Sequence, residues 1–132
     1  KMSKSKNNII DVFLDEKKLK KQIQAIKTDS TPIEASKDWK KCNLFNIYKL
    51  MASKPEIADI KSKYEKGGYG YGQAKEDLFA LILNKFSKER QEFNHYLNNL
   101  DEIDKILDAG ATKAKETAGI VLKRVRKKLG YN

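Results

Sequence analysis

Residues 53–68, SKPEIADIKSKYEKGG, contain a start signal, an apolar stripe and a stop signal for one helix. Ser53 can cap the first turn, Glu56 can complete a capping box with it, and the intervening proline suits that turn. The apolar positions at helical spacing are Ile57, Ile60 and Tyr64. Gly67 and Gly68 end the pattern, because glycine adopts the left-handed C-cap conformation without strain. The stretch therefore predicts one amphipathic helix with defined ends.

Comparable patterns on both sides predict four further helices. They cover approximately residues 15–27, 39–52, 73–97 and 101–129. The last is expected to bend near Gly110, and the glycine-rich residues 67–72 are expected to connect two helices. Only residues 9–14 carry a strand signal, and they are interpreted as a strand or an irregular segment. The sequence therefore predicts an all-α fold, a helical bundle of about five helices.

The last predicted helix combines an apolar stripe with a basic end. The stripe consists of Ala114, Ala118, Val121, Leu122, Val125 and Leu129, and we expect it to pack inside the bundle. Residues 123–128, KRVRKK, concentrate positive charge, of which a helix C-terminus explains only part. A surface that faces RNA phosphates is the alternative explanation. The candidate RNA contacts, chosen for charge and helical position, are Lys113, Lys115, Arg124 and Arg126.

Length and composition exclude several classes of protein. The chain has 132 residues, which fits one domain, and its formal net charge is +10. A single cysteine, Cys42, excludes an intramolecular disulfide framework, and with a single histidine it argues against a structural zinc site. No apolar run approaches the roughly 18 residues that a membrane helix needs. The excess charge indicates either a polyanionic partner or a solvated lysine-rich surface.

Residues 1–5 read KMSKS and have a chemistry that suits phosphate. Lys1 and Lys4 supply two ammonium groups, Ser3 and Ser5 add hydroxyl donors, and the backbone N–H groups of a loop can form an anion-binding nest. Such a loop can stabilise the negative charge that develops on a departing pyrophosphate. From these residues alone, a solvated basic tail remains the alternative.

The pentapeptide matches the KMSKS signature of class I aminoacyl-tRNA synthetases. Three later segments, residues 41–53, 56–75 and 110–130, resemble in the same order the helical segments of bacterial-type tryptophanyl-tRNA synthetases. The resemblance covers essentially the whole chain and implies the C-terminal portion of such a synthetase, beginning at its KMSKS loop. Residues 1–14 would be the loop and connector at the end of a nucleotide-binding domain that lies upstream. Residues 15–132 would be the helical region that receives the tRNA anticodon.

The resemblance also implies an activity. The family activates tryptophan with ATP and Mg²⁺, releases pyrophosphate, and transfers the tryptophan to its tRNA. Lys1 and Lys4 would be the catalytic residues that contact ATP phosphates, and Met2, Ser3 and Ser5 would complete the ATP-binding loop. No metal-binding side chain is expected in this chain, and neither ATP nor Mg²⁺ is expected to bind tightly to it.

We expect the partners of the complete enzyme, which are the tRNA for tryptophan, tryptophan and ATP. We do not expect a membrane to be a partner. The expected location is the cytoplasm. Because the family's homodimer contacts and tryptophan pocket belong mainly to the upstream part, we expect the 132-residue chain alone to be monomeric and inactive. Two alternatives stay open: a non-enzymatic basic helical module that binds RNA or a protein partner, and a synthetase paralogue with a changed role.

Overall fold

The computed structural model describes residues 4–6 and 8–131, and all regular structure in that part of the chain is helical. A 3₁₀ turn spans Lys4–Lys6. The α-helices are α1 (Glu16–Gln24), α2 (Asn43–Tyr48), α3 (Lys54–Lys66), α4 (Tyr71–Lys85), α5 (Ser87–Asn98) and α6 (Leu100–Lys128). The predicted all-α fold is confirmed. Among the described helices, none combines the length and the apolar character that crossing a lipid bilayer requires.

The chain divides into two compact units, residues 1–91 and residues 92–132. Among the described residues, all the buried side chains lie in the first unit. The apolar ones are Leu19, Ile23, Cys42, Leu44, Phe45, Tyr48, Ile60, Tyr64, Tyr69, Ala74, Leu78, Leu81 and Ile82. The predicted boundary between residues 14 and 15 concerns the domains of a longer protein, and it stays a prediction.

Helix α4 forms the centre of the first unit and packs against α1 and α2. Its buried Leu78 and Ile82 have no measurable exposure. The buried ring of Tyr64 on α3 joins this core edge-on, with ring centroids 5.8 Å from Phe45 and 5.5 Å from Tyr69. Offset edge-to-face pairs of this kind are the favoured geometry for aromatic rings. The core is therefore made of aliphatic residues from four helices, α1 to α4, and an aromatic cluster beside them.

Helix α3 begins and ends as its sequence predicts. The Glu56 carboxylate accepts hydrogen bonds from the backbone N–H of Ser53 at 2.7 Å and from its hydroxyl at 2.6 Å. At the other end Gly67 has a φ of 76°, in the region that favours glycine. The N–H of Gly68 then donates to the Ile33 carbonyl at 2.8 Å. The glycine-rich segment connects α3 to α4, as predicted.

The helix predicted over residues 73–97 is two helices, α4 and α5, which meet at Phe86. Phe86 has a φ of −106° and a ψ of 18°, outside the helical range. No glycine or proline stands there. The Arg90 guanidinium instead donates to the carbonyls of Val12 and Leu14, the latter at 2.9 Å, which ties the first turn of α5 to a distant segment. The break between α4 and α5 is therefore associated with a tertiary contact that the local sequence pattern does not predict.

Helix α2 is shorter than predicted, because the residues expected at its two ends form turns instead. Side-chain and backbone hydrogen bonds hold these turns. The Asp38 carboxylate accepts from the N–H of Lys40 at 3.0 Å, and an acidic side chain that bonds to nearby backbone favours a turn. After the helix, the N–H of Leu50 and of Met51 donate to carbonyls three residues back. Residues 9–14 form the irregular alternative of the two predicted, and Asp11 accepts from the N–H of Phe13 at 3.0 Å.

The expectation that the apolar stripe of the last helix packs inside a bundle is wrong for the described chain. Helix α6 is continuous through Gly110 and has no buried residue. Val121 is 46% exposed and Val125 is 44% exposed. The reason is the difference in length between two helices. The 29 residues of α6 extend about 43 Å, whereas residues 92–98 of α5 extend about 10 Å. The partner helix within this unit is too short to cover the stripe.

Candidate functional site

The predicted ATP loop lies mostly outside the described residues, since Lys1, Met2 and Ser3 are not among them. The structure begins with the backbone of Lys4, the first residue of the 3₁₀ turn, and Ser5 follows in that turn with an exposed side chain. The assignment of these five residues to ATP phosphates therefore stays a prediction.

The segment that follows this loop is held by a residue that sequence reasoning missed. Arg90 donates from one guanidinium nitrogen to the carbonyls of Val12 and Leu14. On the same segment, the N–H of Asp11 donates to the Gln22 side-chain carbonyl at 2.9 Å. These contacts fix the connector between the loop and α1. Arg90 stands in a helical pattern at a sequence separation of more than 70 residues, so no local signal could have identified it.

The four candidate RNA contacts all lie exposed on α6, but they do not share one side. Lys113 and Arg124 are 124 − 113 = 11 residues apart, about three helical turns, and therefore point the same way. Lys115 and Arg126 form an equivalent pair. Two residues rotate a helix by about 200°, so the second pair lies almost opposite the first. A single RNA backbone that approaches from one side contacts one pair.

The side of α6 that carries Lys113 and Arg124 is the more strongly basic. Lys127 and Lys128 lie within about 60° of Lys113 and Arg124 around the helix axis, because they follow Arg124 by three and four residues. The second pair, Lys115 and Arg126, flanks the exposed apolar stripe on its other side. The first side therefore concentrates four positive charges along one edge of the helix, a suitable arrangement for phosphates.

A pocket of about 350 Å³ in the first unit was not predicted from the sequence. Two three-residue segments, 27–29 and 41–43, form its walls together with Tyr71. The Tyr71 hydroxyl donates to the two carboxylate oxygens of Asp29 at 2.9 and 3.0 Å. The N–H of Thr31 donates to the same carboxylate at 2.9 Å. These contacts join α4 to the segment after α1 and define the pocket.

Hydrogen bonds and burial at this pocket reinforce the neutral-pH protonation states of its two central groups. Hydrogen bonds from Thr31, followed by the one from Tyr71, lower the pKa of the Asp29 carboxyl, so it is ionised at neutral pH. Burial, followed by the bond to Asp29, raises the pKa of Tyr71 to about 12, so its hydroxyl keeps its proton. The pair is therefore a fixed donor and a fixed anionic acceptor.

A buried lysine supports the loop next to this pocket. Lys37 is 5% exposed, and its ammonium donates to the carbonyls of Pro32 at 2.9 Å, Ile33 at 3.2 Å and Ala35 at 3.2 Å. The same ammonium lies 5.4 Å from the ring centroid of Tyr71, in cation–π range. A buried charge is tolerated where its donors are all used, and this one orders the loop.

In the described part of the chain, no group of three histidine, cysteine or carboxylate side chains is close enough together to hold a metal ion. His95 lies 3.0 Å from Glu102 on the exposed surface of the second unit. Cys42 is buried with its sulfur 3.5 Å from the Tyr64 hydroxyl. Both residues therefore have structural surroundings rather than those of a metal ligand.

The chain is similar to known proteins in both sequence and fold. Residues 1–88 match the family model of tRNA synthetases class I (W and Y), which is two thirds of the chain. The chain therefore belongs to the class I tRNA synthetase family that comprises the tryptophan and tyrosine types.

Individual relatives narrow the similarity to one member of that family. The chain is 43% identical over 130 residues to tryptophan–tRNA ligase of Campylobacter jejuni and 38% identical to that of Rhodopirellula baltica. In both comparisons, 98% of this chain aligns with 41% of the relative. The crystal structure of tryptophanyl-tRNA synthetase from Campylobacter jejuni superposes with a TM-score of 0.95 over 98% of this chain and 42% of that one. A second structure of the same enzyme, complexed with ADP and tryptophan, gives the same TM-score over 41% of its chain. The chain thus spans about two fifths of the length of the relatives it matches.

Proposed function

We propose that this chain is the part of a tryptophan–tRNA ligase that carries the ATP loop and the helices that face tRNA. The observation that supports this most is the alignment of 98% of the chain, at 43% identity, with a relative of that name. The complete protein would activate tryptophan with ATP and transfer it to its tRNA. The basic α6 and the KMSKS segment would supply the positive charge that these steps require.

Lys1 and Lys4 would hold the ATP phosphates and stabilise the charge that develops on the leaving pyrophosphate. Met2, Ser3 and Ser5 would complete the loop around them. Mg²⁺ would enter with the ATP, and the described residues offer no group of three histidine, cysteine or carboxylate side chains that could hold it. The complete enzyme would act in the cytoplasm as a homodimer, whereas the 132-residue chain would be monomeric.

The role of the loop is tested in a chimera in which this chain replaces the matching two fifths of the Campylobacter jejuni relative. If one charge-assisted phosphate contact contributes about 1.5–3 kcal/mol, Lys4→Ala should slow tryptophan-dependent ATP–pyrophosphate exchange at least about tenfold. Lys17→Ala, which removes an exposed lysine of α1, is the matched control and should leave the rate unchanged. A Lys4→Ala rate within about twofold of the parent chimera would contradict the assignment.

The same chimera separates the ligase from its alternatives. We expect the parent chimera to exchange pyrophosphate and charge tRNA, and the 132-residue chain by itself to show background exchange only. A folded chimera with no activity would favour the paralogue or the non-enzymatic RNA-binding module. Pyrophosphate exchange above background by the purified 132-residue chain alone would contradict the proposal that activity needs the rest of the enzyme.

Of the two basic sides of α6, we propose that the one with Lys113 and Arg124 faces tRNA, because Lys127 and Lys128 extend the same side. Four contacts to single-stranded phosphates would give a salt slope of about −2.8, from 0.7 for each contact. Lys115 and Arg126 would then contribute much less. The proposal concerns phosphate contacts, which set position and affinity rather than sequence preference.

A further inference from the structure

We infer that Arg90 is a positioning residue for the activation step: it fixes the connector that follows residues 1–5 and thereby sets where Lys4 stands relative to ATP. The inference rests on the proposed function, because it supposes that Lys4 acts on ATP. Arg90 lies in the first turn of α5 and acts through the backbone of the connector. It adds a residue outside the KMSKS segment to those on which the activation rate depends.

The connector, residues 8–14, forms neither helix nor strand, so side chains from other elements determine its course. The Arg90 guanidinium donates to the carbonyls of Val12 and Leu14, the latter at 2.9 Å. From α1, the side-chain carbonyl of Gln22 accepts the N–H of Asp11 at 2.9 Å. The connector is therefore held from two sides, by α5 and by α1.

The two carbonyls that Arg90 binds belong to a turn with its own internal hydrogen bonds. The N–H of Leu14 donates to the Asp11 carbonyl at 3.3 Å, and the N–H of Phe13 donates to the Asp11 carboxylate at 3.0 Å. Asp15 caps α1 directly after this turn. The turn and the start of α1 are thus one continuous structure, and Arg90 fixes its direction from outside.

Arginine suits this task because one terminal guanidinium nitrogen carries two N–H groups, which allows it to bind both carbonyls. Hydrogen bonds from a charged donor are roughly twice as strong as neutral ones, and the side chain of Arg90 is partly buried. The backbone N–H of Arg90 donates to the Phe86 carbonyl at 2.9 Å, at the end of α4. The connector is therefore tied to the helix at the centre of the first unit.

The anchor lies close to the loop that it would position. The carbonyl of Val12 is 12 − 4 = 8 residues after Lys4, and both belong to the same compact unit as Arg90. A displacement of about 1 Å at a reacting group can cost about a hundredfold in rate. Because Lys4 would act on charge that develops as pyrophosphate leaves, its displacement should lower kcat more than it raises a KM.

The first test is amide hydrogen exchange of the 132-residue chain and two variants. Arg90→Met removes the anchor, and Lys88→Met removes an exposed cation of the same turn as the control. We expect the amides of residues 11–14 to exchange at least about tenfold faster in Arg90→Met, while those of Leu78 and Ile82 in α4 are unchanged. Unchanged exchange in the connector would overturn the inference. Equal acceleration in the connector and α4 would indicate a general structural role and would also overturn it.

The second test uses the chimera described above and measures tryptophan-dependent ATP–pyrophosphate exchange. Arg90→Met should lower kcat at least about fivefold and leave the KM for tryptophan unchanged, whereas Lys88→Met should match the parent. Arg90→Lys keeps the charge and a donor, so it should be less affected than Arg90→Met. If Arg90→Met does not fold, Arg90→Lys carries both tests, with smaller effects expected in the same direction.

A double variant shows whether Arg90 acts through the loop. If it does, Arg90→Met should slow the Lys4→Ala chimera little further, because the group that it positions is already absent. Losses that multiply in the double variant would overturn the inference. An unchanged rate in Arg90→Met, in a chimera that Lys4→Ala slows, would remove this inference and leave the proposed function intact. A folded parent chimera without activity would remove both.

Discussion

Lys37 shows how one side chain can fix a loop that lacks regular structure. Its ammonium donates to three carbonyls between residues 32 and 35, and its own N–H donates to the Tyr64 carbonyl at 2.8 Å. Sequence patterns place lysine on surfaces, so this burial was not foreseeable from the chain. The loop that it orders also forms the backbone against which Gly67 packs.

Replacing this lysine should therefore be costly even with an apolar residue of similar length. Lys37→Met leaves three carbonyls without their donor, and we expect a loss of about 2–3 kcal/mol in the free energy of unfolding. The measurement is urea unfolding followed by the fluorescence of Trp39, the single tryptophan. Lys41→Met, at an 89% exposed side chain, is the control and should change little. Equal unfolding midpoints for the two variants would contradict this role for Lys37.

Gly67 and Gly68 form a matched pair for separating two costs. Both have a positive φ, 76° and 77°, so an alanine at either position is strained. A Cβ at Gly67 would also lie 2.2 Å from the carbonyl oxygen of Glu34, whereas a Cβ at Gly68 meets nothing within 4 Å. We expect Gly67→Ala to lower the urea midpoint clearly more than Gly68→Ala. The reverse order would show that the close approach to Glu34 is not a constraint.

The cap of α3 links the stability of the fold to pH. Hydrogen bonds from the hydroxyl and then the backbone N–H of Ser53 lower the pKa of Glu56 from its ordinary 4.5. A lowered carboxyl pKa stabilises the fold above the ordinary value, and this contribution is lost as the pH falls through the folded pKa. Glu56→Gln should therefore be less stable than the parent near neutral pH, with a difference that shrinks in acid. Glu34→Gln serves as the exposed control, and a difference for Glu56→Gln that is independent of pH would contradict the cap.

Helix α6 permits a test of the proposal that one of its two basic sides contacts RNA. Lys113→Ala with Arg124→Ala removes one side, and Lys115→Ala with Arg126→Ala removes the almost opposite one at equal cost in charge. We expect the first double variant to reduce the magnitude of the salt slope for tRNA binding by about 1.4, and the second to leave it nearly unchanged. Fluorescence anisotropy over a range of salt concentrations measures both. Equal reductions would indicate general attraction by net charge instead of one contacting side.

Buried tyrosines give the first unit, as a whole, a signature at alkaline pH. Burial raises the pKa of Tyr64 and of Tyr69, and in Tyr69 the hydroxyl also donates to Asp77 at 2.6 Å. A raised tyrosine pKa favours the protonated folded state, so this stability is complete below the ordinary value of 10 and is lost as the pH rises above it. In an absorbance titration these tyrosines should ionise only with unfolding, and Tyr64→Phe should reduce that late signal. Tyrosine ionisation that is complete near pH 10, with the fold retained, would contradict the buried cluster.

Local features of the molecule could be predicted from the sequence, and features that join distant segments could not. The cap at Ser53 and the stop at Gly67 depend on neighbouring residues, and both are found where the sequence predicts them. The break at Phe86 accompanies the contact of Arg90 with carbonyls more than 70 residues away. The apolar residues of α6 form the stripe that the sequence predicts. An amphipathic pattern does not show whether another surface packs on such a stripe.

The candidate functional residues show the same difference between local and distant features. The KMSKS segment could be recognised in the sequence, because its five chemically important residues are adjacent. The pocket beside Tyr71 is invisible in the sequence, because the hydroxyl and the Asp29 carboxylate are 71 − 29 = 42 residues apart and only folding brings them within 2.9 Å. The four basic candidates follow from charge and helical position, and the observed continuous helix separates them into two almost opposite pairs.

The measurement that tests the central proposal most directly is the binding of this chain to two tRNAs that differ only in the anticodon. One carries the tryptophan anticodon, and in the other the anticodon bases are exchanged. If the helical region belongs to a tryptophan–tRNA ligase, the chain should bind the first with the higher affinity at a salt concentration where non-specific phosphate contacts are weak. Equal affinity for the two tRNAs, with a steep salt dependence, would contradict the proposal and leave a generic phosphate-binding module.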